Sequence, residues 1–266
     1  MSMNWSELEK VATSWVNEAG QKIKKTLAGP IDIETKSNPD DLVTEVDRSI
    51  EEFFYEKIQT TYPEHYFLGE EGIASEEPLL EGTVWIIDPI DGTMNFIHQK
   101  QNFAISVAVY HNKVGMIGII YDVMRDELFH AVRGDGAYLN NVELPPVKER
   151  PLHESVIGLN ARWLVEEKNQ YRNPLKALVR DVRSIRSYGS AALEMAYVAS
   201  DRLDGYLSVQ LSPWDYAAGI VILNEVGCVA SNFQGDPLSL TEPGTLFASK
   251  PILHKEIISV YIGEEY

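Results

Sequence analysis

The sequence predicts an α/β protein made of two halves, and three observations support this prediction. Two segments near the N-terminus, 5–27 and 46–58, repeat apolar residues at helical spacing. Five short runs rich in β-branched and aromatic residues follow between positions 84 and 139. Beyond position 155, strand-like and helix-like runs alternate, which is typical of an α/β layer.

The N-terminal half, residues 1–145, is predicted to be an α+β unit. Trp5, Leu8, Ala12 and Trp15 mark the apolar face of the first helix, which Gly29-Pro30 ends. The expected strands are VWIID (84–88), FAISVAVY (103–110), VGMIGIIYD (114–122), ELFHAV (127–132) and GAYL (136–139). Their short turns favour a largely antiparallel sheet under the two helices. Since two of these strands are apolar on both faces, we expect a second subunit to cover one face.

The C-terminal half, residues 150–266, follows the proline-rich stretch ELPPVKERPLHES at 143–155, which is the candidate boundary. Its predicted strands are 155–159, 183–186, 204–209, 228–233 and 245–250. Its predicted helices are 163–180, 190–199, 213–226 and roughly 252–262. This alternation indicates an α/β unit.

Composition excludes several classes of partner. The 266 residues include 40 acidic and 23 Lys or Arg side chains, a formal net charge of −17. Such a surface repels nucleic acid and anionic membranes, so we expect neither as a partner. No apolar run approaches the roughly 20 residues that a spanning helix needs. The single cysteine, Cys228, cannot form an internal disulfide, and we expect a cytoplasmic protein.

Two acids stand where a buried strand ends. The stretch WIIDPIDGTMNF places Asp88 and Asp91 directly after an apolar run. Two unpaired carboxylates there would repel each other and raise each other's pKa. A bound cation removes that cost, and hard oxygen ligands suit Mg²⁺, Mn²⁺ or Ca²⁺ better than zinc.

Other acids are less unusual singly. Asp47 and Asp215 each fall in a predicted first helical turn, where an acid favours the helix dipole. Glu70, in GEEG, is compatible with an ordinary charged turn. Together with the Asp88 and Asp91 pair, however, these positions indicate ligands that the fold brings together. Gly92-Thr93 follow at the predicted start of a helix, where free N–H groups bind phosphate.

These motifs resemble those of the inositol monophosphatase family. DPIDGTMNF (88–96) is similar to the family's D-P-(I/L)-D-G-T-x-N-F signature, and DLVTEVD (41–47) and GEEG (69–72) are similar to two of its other segments. GSAAL (189–193) and WDYAAGIVILNEVGCV (214–229) resemble its later elements. Five motifs in order over nearly the whole chain make a specific resemblance.

The resemblance implies two to three Mg²⁺ ions, with Mn²⁺ as a substitute and Li⁺ as an inhibitor. It assigns Glu70, Asp88 and the Ile90 carbonyl to the first ion, and Asp88, Asp91 and Asp215 to the second. A third, weaker ion would rest on Glu70 through waters.

The resemblance also implies roles in catalysis and substrate binding. Glu70, Thr93 and Asp47 would be catalytic, with Thr93 and Asp47 orienting the attacking water. The implied substrate-binding residues are Gly92, Thr93, Ala191, Ser208, Asp215 and Lys36. The implied fold is a layered α-β-α-β-α sandwich, and the implied assembly is a homodimer.

One position departs from the family. The inositol phosphatases carry a glutamate seven residues before the W-D aspartate, where this chain has Ser208. Ser208 is too short to accept hydrogen bonds from the same substrate hydroxyls. The expected substrate is therefore inositol monophosphate or a related small phosphomonoester. Alternatives are the 2′-phosphate of NADP, fructose 1,6-bisphosphate and adenosine 3′,5′-bisphosphate.

Two other classes of function compete. A haloacid-dehalogenase-type phosphatase needs D-x-D, and the D-x-x-D spacing here disfavours it. A regulatory binding protein on the same fold would have no need for a complete set of metal ligands, and in this chain every one of them is present.

Overall fold

The computed structural model describes residues 3–29, 33–35, 42–73 and 81–263. The α-helices in these ranges are α1 (Trp5–Thr26), α2 (Glu45–Thr61), α3 (Thr93–Gln99), α4 (Arg172–Asp181), α5 (Ala191–Ala199), α6 (Pro213–Glu225) and α7 (Pro251–Ile257). The strands are β1 (Ile33–Thr35), β2 (Leu42–Thr44), β3 (Tyr66–Gly69), β4 (Thr83–Asp91), β5 (Ala104–His111), β6 (Val114–Asp122), β7 (Glu127–Val132), β8 (Ala137–Leu139), β9 (Val142–Glu143), β10 (Val156–Leu159), β11 (Ser184–Arg186), β12 (Gly205–Leu211), β13 (Val229–Ser231) and β14 (Gly244–Ser249).

Two large sheets form the framework. The seven-stranded sheet has the order β3-β4-β5-β6-β7-β8-β9, and only the pairing of β3 with β4 is parallel. The five-stranded sheet has the order β11-β10-β12-β14-β13, with β10 parallel to both of its neighbours. The sequence did not predict β3 as a strand, because its four residues give too short a pattern to read.

Helices and sheets alternate in five layers, which confirms the predicted α-β-α-β-α sandwich. α1 and α2 cover one face of the larger sheet with residues such as Val16 and Phe54. α5 and α6 fill the space between the two sheets, where Met195 and Ile222 are buried. α4 and α7 cover the outer face of the smaller sheet.

The middle layer corrects the expectation that a second subunit covers the larger sheet. α6 of the same chain lies directly on β6, and a Cβ at Gly118 would be 2.3 Å from the carbonyl oxygen of Ala218. Glycine is therefore required for this close approach. Both faces of β5 and β6 are apolar because helices of this chain cover both.

The predicted helix 163–180 was wrong in its first half. A 3₁₀ turn, Ala161–Leu164, precedes an irregular segment, and regular helix begins only at Arg172. The Asn160 side chain accepts a hydrogen bond from the N–H of Arg162 at 2.9 Å, and the Asn169 amide donates to the Trp163 carbonyl at 2.8 Å. Asparagine side chains thus compete with helical hydrogen bonds in this segment.

The C-terminal helix is regular only as far as Ile257, and a π-helical turn, Ile258–Ile262, follows it. The two large sheets lie on either side of the predicted boundary at 143–155, and the division into domains stays a prediction. No helix in the described part of the chain is long and apolar enough to cross a bilayer.

Candidate active site

A β-bulge aligns the first two acids. β4 is buried along its whole length, and Asp88 and Asp91 are 1% and 7% exposed. In a regular strand, residues three apart point to opposite faces. Here the pairing with β5 shifts, so that Asp88 lies opposite Ser106 and Asp91 opposite Ala104. The extra residue on β4 brings both carboxylates to the same side.

The third acid comes from the other half of the chain. Asp215 lies in the first turn of α6, and the N–H of Ser212 donates to its carboxylate at 2.7 Å. Ser106 and Tyr110 on β5 donate to carbonyls of α6, at 3.3 Å to Trp214 and 3.0 Å to Ala217. These bonds fix the start of α6 over the bulge. One oxygen each from Asp88, Asp91 and Asp215 then lie within 4.8 Å of one another.

Glu70 lies next to this cluster because β3 runs parallel to β4. It follows Gly69, which pairs with Ile87, and its N–H donates to the Ile87 carbonyl at 3.3 Å. Its side chain forms a hydrogen bond with Asp88, and its charge raises the pKa of Asp88. The predicted ligands Glu70, Asp88, Asp91 and Asp215 are therefore together in the structure. Ile90, whose carbonyl is the remaining predicted ligand, belongs to the same bulge, and the N–H of Ile90 donates a hydrogen bond to Asp88 at 2.9 Å.

The electrostatics of the cluster favour a bound cation. Burial, followed by the charges of Glu70, Asp91 and Asp215, raises the pKa of Asp88 well above its usual range. Burial likewise raises the pKa of Asp91 to about 6, although hydrogen bonds from Ser190 and the α5 backbone oppose the shift. Oxygen ligands of this charge and density fit Mg²⁺, and such an ion would remove the mutual repulsion.

An acid and a hydroxyl, Asp47 and Thr93, border this cluster of carboxylates. Asp47, on α2, is 1% exposed, and the hydroxyl of Thr93 lies 3.4 Å from its carboxylate and 3.2 Å from the Ile90 carbonyl. Thr93 begins α3 after Gly92, whose φ of 96° is left-handed. A Cβ at Gly92 would lie 3.0 Å from the Gly189 carbonyl, so glycine suits both the conformation and the space.

α5 holds Asp91 from the opposite side. The Asp91 carboxylate accepts hydrogen bonds from the Ser190 hydroxyl at 2.5 Å, the Ala192 N–H at 2.7 Å and the Ala191 N–H at 3.2 Å. Ala191, predicted to bind substrate, thus contacts a predicted metal ligand in this structure.

A cavity of about 240 Å³ opens beside the acids. It is lined by Asp91, Asn160, Trp163, Ser187, Gly189, Ser190, Ala191, Glu194, Tyr206, Ser208, Gln210, Leu211 and Asp215. Ser208 is buried in its wall, and its hydroxyl lies 3.2 Å from the Gln210 carbonyl. Lys36, the remaining predicted contact, lies outside the described residues.

Sequence reasoning missed two buried glutamates behind the site. Glu51 accepts hydrogen bonds from the N–H groups of Glu71 at 2.7 Å and Ile73 at 3.1 Å, next to Glu70. Glu194 does the same for Tyr188 and Gly189, next to the residues that hold Asp91. Glu51 lies four residues after Asp47, on the same helix face, and this spacing could have identified it.

Comparisons with known proteins identify relatives that match nearly the whole chain. The model of the "Inositol monophosphatase family" matches residues 4–261. The inositol-1-monophosphatase of Bacillus subtilis strain 168 is 49% identical over 259 residues, covering 97% of this chain and 98% of the relative. Nus factor SuhB of Escherichia coli K12 is 35% identical over 255 residues, covering 94% and 93%.

Solved structures share the fold. SaIMPase-II bound to inositol monophosphate and bound to 2′AMP superposes with TM-scores of 0.87 and 0.88, each at 41% identity. These matches cover 96% and 97% of this chain and 93% and 94% of those chains. An IMPase/NADP phosphatase complexed with Mg²⁺ and phosphate has a TM-score of 0.88 at 26% identity, covering 96% and 95%. A staphylococcal inositol monophosphatase-1 from an LiCl-soaked inhibitory complex reaches 0.89 at 25% identity, covering 97% and 96%.

Proposed function

This chain belongs to the inositol monophosphatase family, and from that we infer that it is a Mg²⁺-dependent phosphomonoesterase acting on inositol monophosphate or a related small phosphomonoester. The observation that carries the inference is the convergence of Asp88, Asp91 and Asp215, from two halves of the chain, within 4.8 Å. An acid cluster of this kind has no structural use that a neutral core would not serve better.

Glu70, Asp88 and the Ile90 carbonyl would hold one ion, and Asp88, Asp91 and Asp215 a second. When bound, Mg²⁺ supplies positive charge that lowers the pKa of a water molecule and balances the charge on the phosphate oxygens. A third, more weakly bound ion would contact Glu70 through water molecules. Mn²⁺ would substitute, and Li⁺ would inhibit by occupying a metal position.

The chain's own residues would position the water that attacks phosphorus. A hydroxyl has one hydrogen, so Thr93 donates either to Asp47 or to the Ile90 carbonyl and uses its lone pairs to accept from water. Because Asp47 is buried and faces this hydroxyl, it fixes where the water is held. The N–H groups of Gly92 and Thr93 would contact the phosphate.

The cavity beside Asp91 and Asp215 would hold the alcohol part of the substrate. Ser208 places a short hydroxyl there, so at this position the site has no carboxylate that could accept hydrogen bonds from inositol hydroxyls. This favours a broader range of substrates, including the 2′-phosphate of NADP, fructose 1,6-bisphosphate and adenosine 3′,5′-bisphosphate. The relatives SaIMPase-II with 2′AMP and the IMPase/NADP phosphatase support that range. Ala191 would contribute to this pocket, and Lys36 would close over it.

We propose that the protein is a cytoplasmic homodimer and that each chain has two domains, residues 1–145 and 150–266. The first half would supply most metal ligands, and the second would supply Asp215 and the substrate-selecting residues. The relative named Nus factor SuhB makes a regulatory role the rival from another class.

Phosphate release with and without Mg²⁺ tests the proposal. The panel is inositol 1-phosphate, fructose 1,6-bisphosphate, adenosine 3′,5′-bisphosphate, NADP and 2′-AMP, with exposed Asp236→Asn as the matched control for loss of an acid. Mg²⁺-dependent release that Asp88→Asn abolishes and Asp236→Asn retains supports the proposal. Metal-independent release would contradict the proposed metal site, and no release from any substrate would favour the rival.

A further inference from the structure

The hydrogen bonds from the N-terminus of α5 to Asp91 depend on the turn that precedes the helix. Ser190, Ala191 and Ala192 donate three hydrogen bonds to Asp91 only if the chain at 188–190 directs them towards β4. Gly189 in that turn has a φ of 77°, a left-handed conformation. The side chains that form hydrogen bonds with the backbone of Tyr188 and Gly189 therefore determine the orientation of the turn.

Two side chains hold this turn from opposite sides. The Asn95 amide donates to the Tyr188 carbonyl at 2.6 Å. One carboxylate oxygen of Glu194, Oε1, accepts from the N–H of Tyr188 at 2.8 Å and from that of Gly189 at 3.2 Å. Asn95 belongs to the same segment as Asp91, whereas Glu194 belongs to α5, so the turn is clamped between the two halves of the chain.

Glu194 is an unfavourable residue to bury for stability alone. It is 3% exposed, and its second oxygen, Oε2, has no hydrogen-bond partner within the described ranges. That oxygen lies against Gly158, where a Cβ would be only 2.3 Å away. Burying a carboxylate with an unpaired oxygen costs stability, and Gly158 leaves the space that this side chain needs.

We propose that Glu194 is a positioning residue for the metal site: by holding the Tyr188–Gly189 turn, it keeps the α5 N-terminus on Asp91 and so sets the affinity for Mg²⁺. The proposal rests on the metal site of the proposed function and adds the residue that preorganises it. Burial raises the pKa of Glu194 to about 7, but Oε1 can accept both hydrogen bonds in either protonation state. The required property is therefore an acceptor at Oε1.

The test compares Glu194→Ala, Glu194→Gln and Glu194→Asp with the parent. Glu225→Ala is the matched control, because Glu225 also accepts two backbone N–H bonds from a turn, at Gly134 and Gly136, on another part of the protein. Isothermal titration calorimetry with MgCl₂ measures Mg²⁺ affinity, and melting in EDTA measures the metal-free fold. Activity at limiting and saturating Mg²⁺ separates metal affinity from turnover.

We expect Glu194→Ala to weaken Mg²⁺ binding by about tenfold, which is typical for residues that orient metal ligands. Glu194→Gln keeps an acceptor at Oε1 and should bind within about threefold of the parent. Glu225→Ala should bind Mg²⁺ as the parent does, even if it melts at a lower temperature. Activity of Glu194→Ala should fall more at limiting than at saturating Mg²⁺.

Unchanged Mg²⁺ affinity in Glu194→Ala would overturn the inference, as would a Gln variant as weak as the Ala variant. If the Ala variant does not fold, Glu194→Asp decides: its shorter side chain should hold the N–H groups of Tyr188 and Gly189 less well, so the variant should bind Mg²⁺ more weakly than the parent, and parent-like affinity would refute the role. If the parent itself does not bind Mg²⁺, the proposed function fails instead.

Discussion

Two groups of acids in this molecule, each with at least one fully buried carboxylate, are stabilised in opposite ways. Next to the paired ends of β12 and β14, Lys250 is fully buried, and its Nζ lies 2.5 Å from the partly exposed Asp201 and 2.6 Å from the buried Asp204. Arg150 also contacts Asp204, at 2.6 Å. Burial would raise the pKa of Asp204, but hydrogen bonds from Lys250, Val156 and Arg150 lower it below its usual value.

The group at the end of β4 has the reverse electrostatics. The charges that act most strongly on Asp88 are the carboxylates Glu70, Asp91 and Asp215, and they raise its pKa together with burial. Structural and functional acids therefore differ in the charges that surround them. An acid cluster whose cations are side chains stabilises the fold, whereas one whose strongest neighbours are other acids requires a cation from solution.

The largest effect should come from removing the central acid of the metal cluster. Asp88→Asn should lower turnover more than about 1,000-fold, because both ions lose a ligand. The metal-free variant should nevertheless be more stable than the metal-free parent at pH 7.5, because one buried repulsive charge is gone. Phosphate release and melting in EDTA measure the two effects. Turnover within tenfold of the parent would remove Asp88 from the metal site.

The opposite result is expected at the cluster that has its own cations. Lys250→Met should lower the free energy of unfolding by about 1.5–3 kcal/mol, because Asp204 loses its hydrogen bond from a buried ammonium group and keeps only those from Arg150 and Val156. Urea unfolding measures this loss, with the exposed Lys255→Met as control. The rise in melting temperature on adding Mg²⁺ should stay that of the parent. A loss below about 1 kcal/mol would mean that the two clusters do not differ as described.

The pH dependence of stability should also differ between the clusters. A carboxylate whose pKa is raised by folding adds stability below its unfolded pKa and loses it as pH rises, for Asp91 through about 6. The metal-free parent should therefore be about 1–2 kcal/mol less stable at pH 7.5 than at pH 5, and Asp91→Asn should reduce that difference. Asp204, with a lowered pKa, loses its contribution only at more acidic pH. Urea unfolding in EDTA at both pH values checks the sign, and greater stability at pH 7.5 would contradict it.

The smallest effect concerns substrate choice. Ser208→Glu places a longer acceptor in the cavity and should raise the rate with inositol 1-phosphate relative to 2′-AMP by about tenfold, the value of roughly one hydrogen bond. Gln210→Glu, which adds the same charge to the cavity wall, is the control. Equal relative rates in the Ser208 variant and the parent would mean that Ser208 does not face substrate.

Local patterns in the sequence were enough for most of the secondary structure. The period of 3.6 residues located α1 and α2, and turn residues separated the antiparallel strands from Ala104 to Leu139. Periodicity failed between 161 and 171, where asparagine side chains replace helical hydrogen bonds. It also missed β3, whose strand character depends on its parallel pairing with β4.

The sequence by itself determined the chemistry of the site: acids at the ends of elements, with a glycine and a threonine beside them, indicate a cation and a phosphate whatever the fold. Tertiary structure alone decided which acids meet. The bulge in β4 turns Asp88 and Asp91 to one side, and α6, lying between the sheets, brings in Asp215 from more than 120 positions later. It also decided that Glu51 and Glu194 support ligand loops, because their partners are backbone N–H groups far along the chain or in a turn. Backbone donors carry no side-chain signature, so the spacing of Asp47 and Glu51 could single out Glu51 as a residue near the site, but the order of amino acids could not show which N–H groups Glu51 or Glu194 bind.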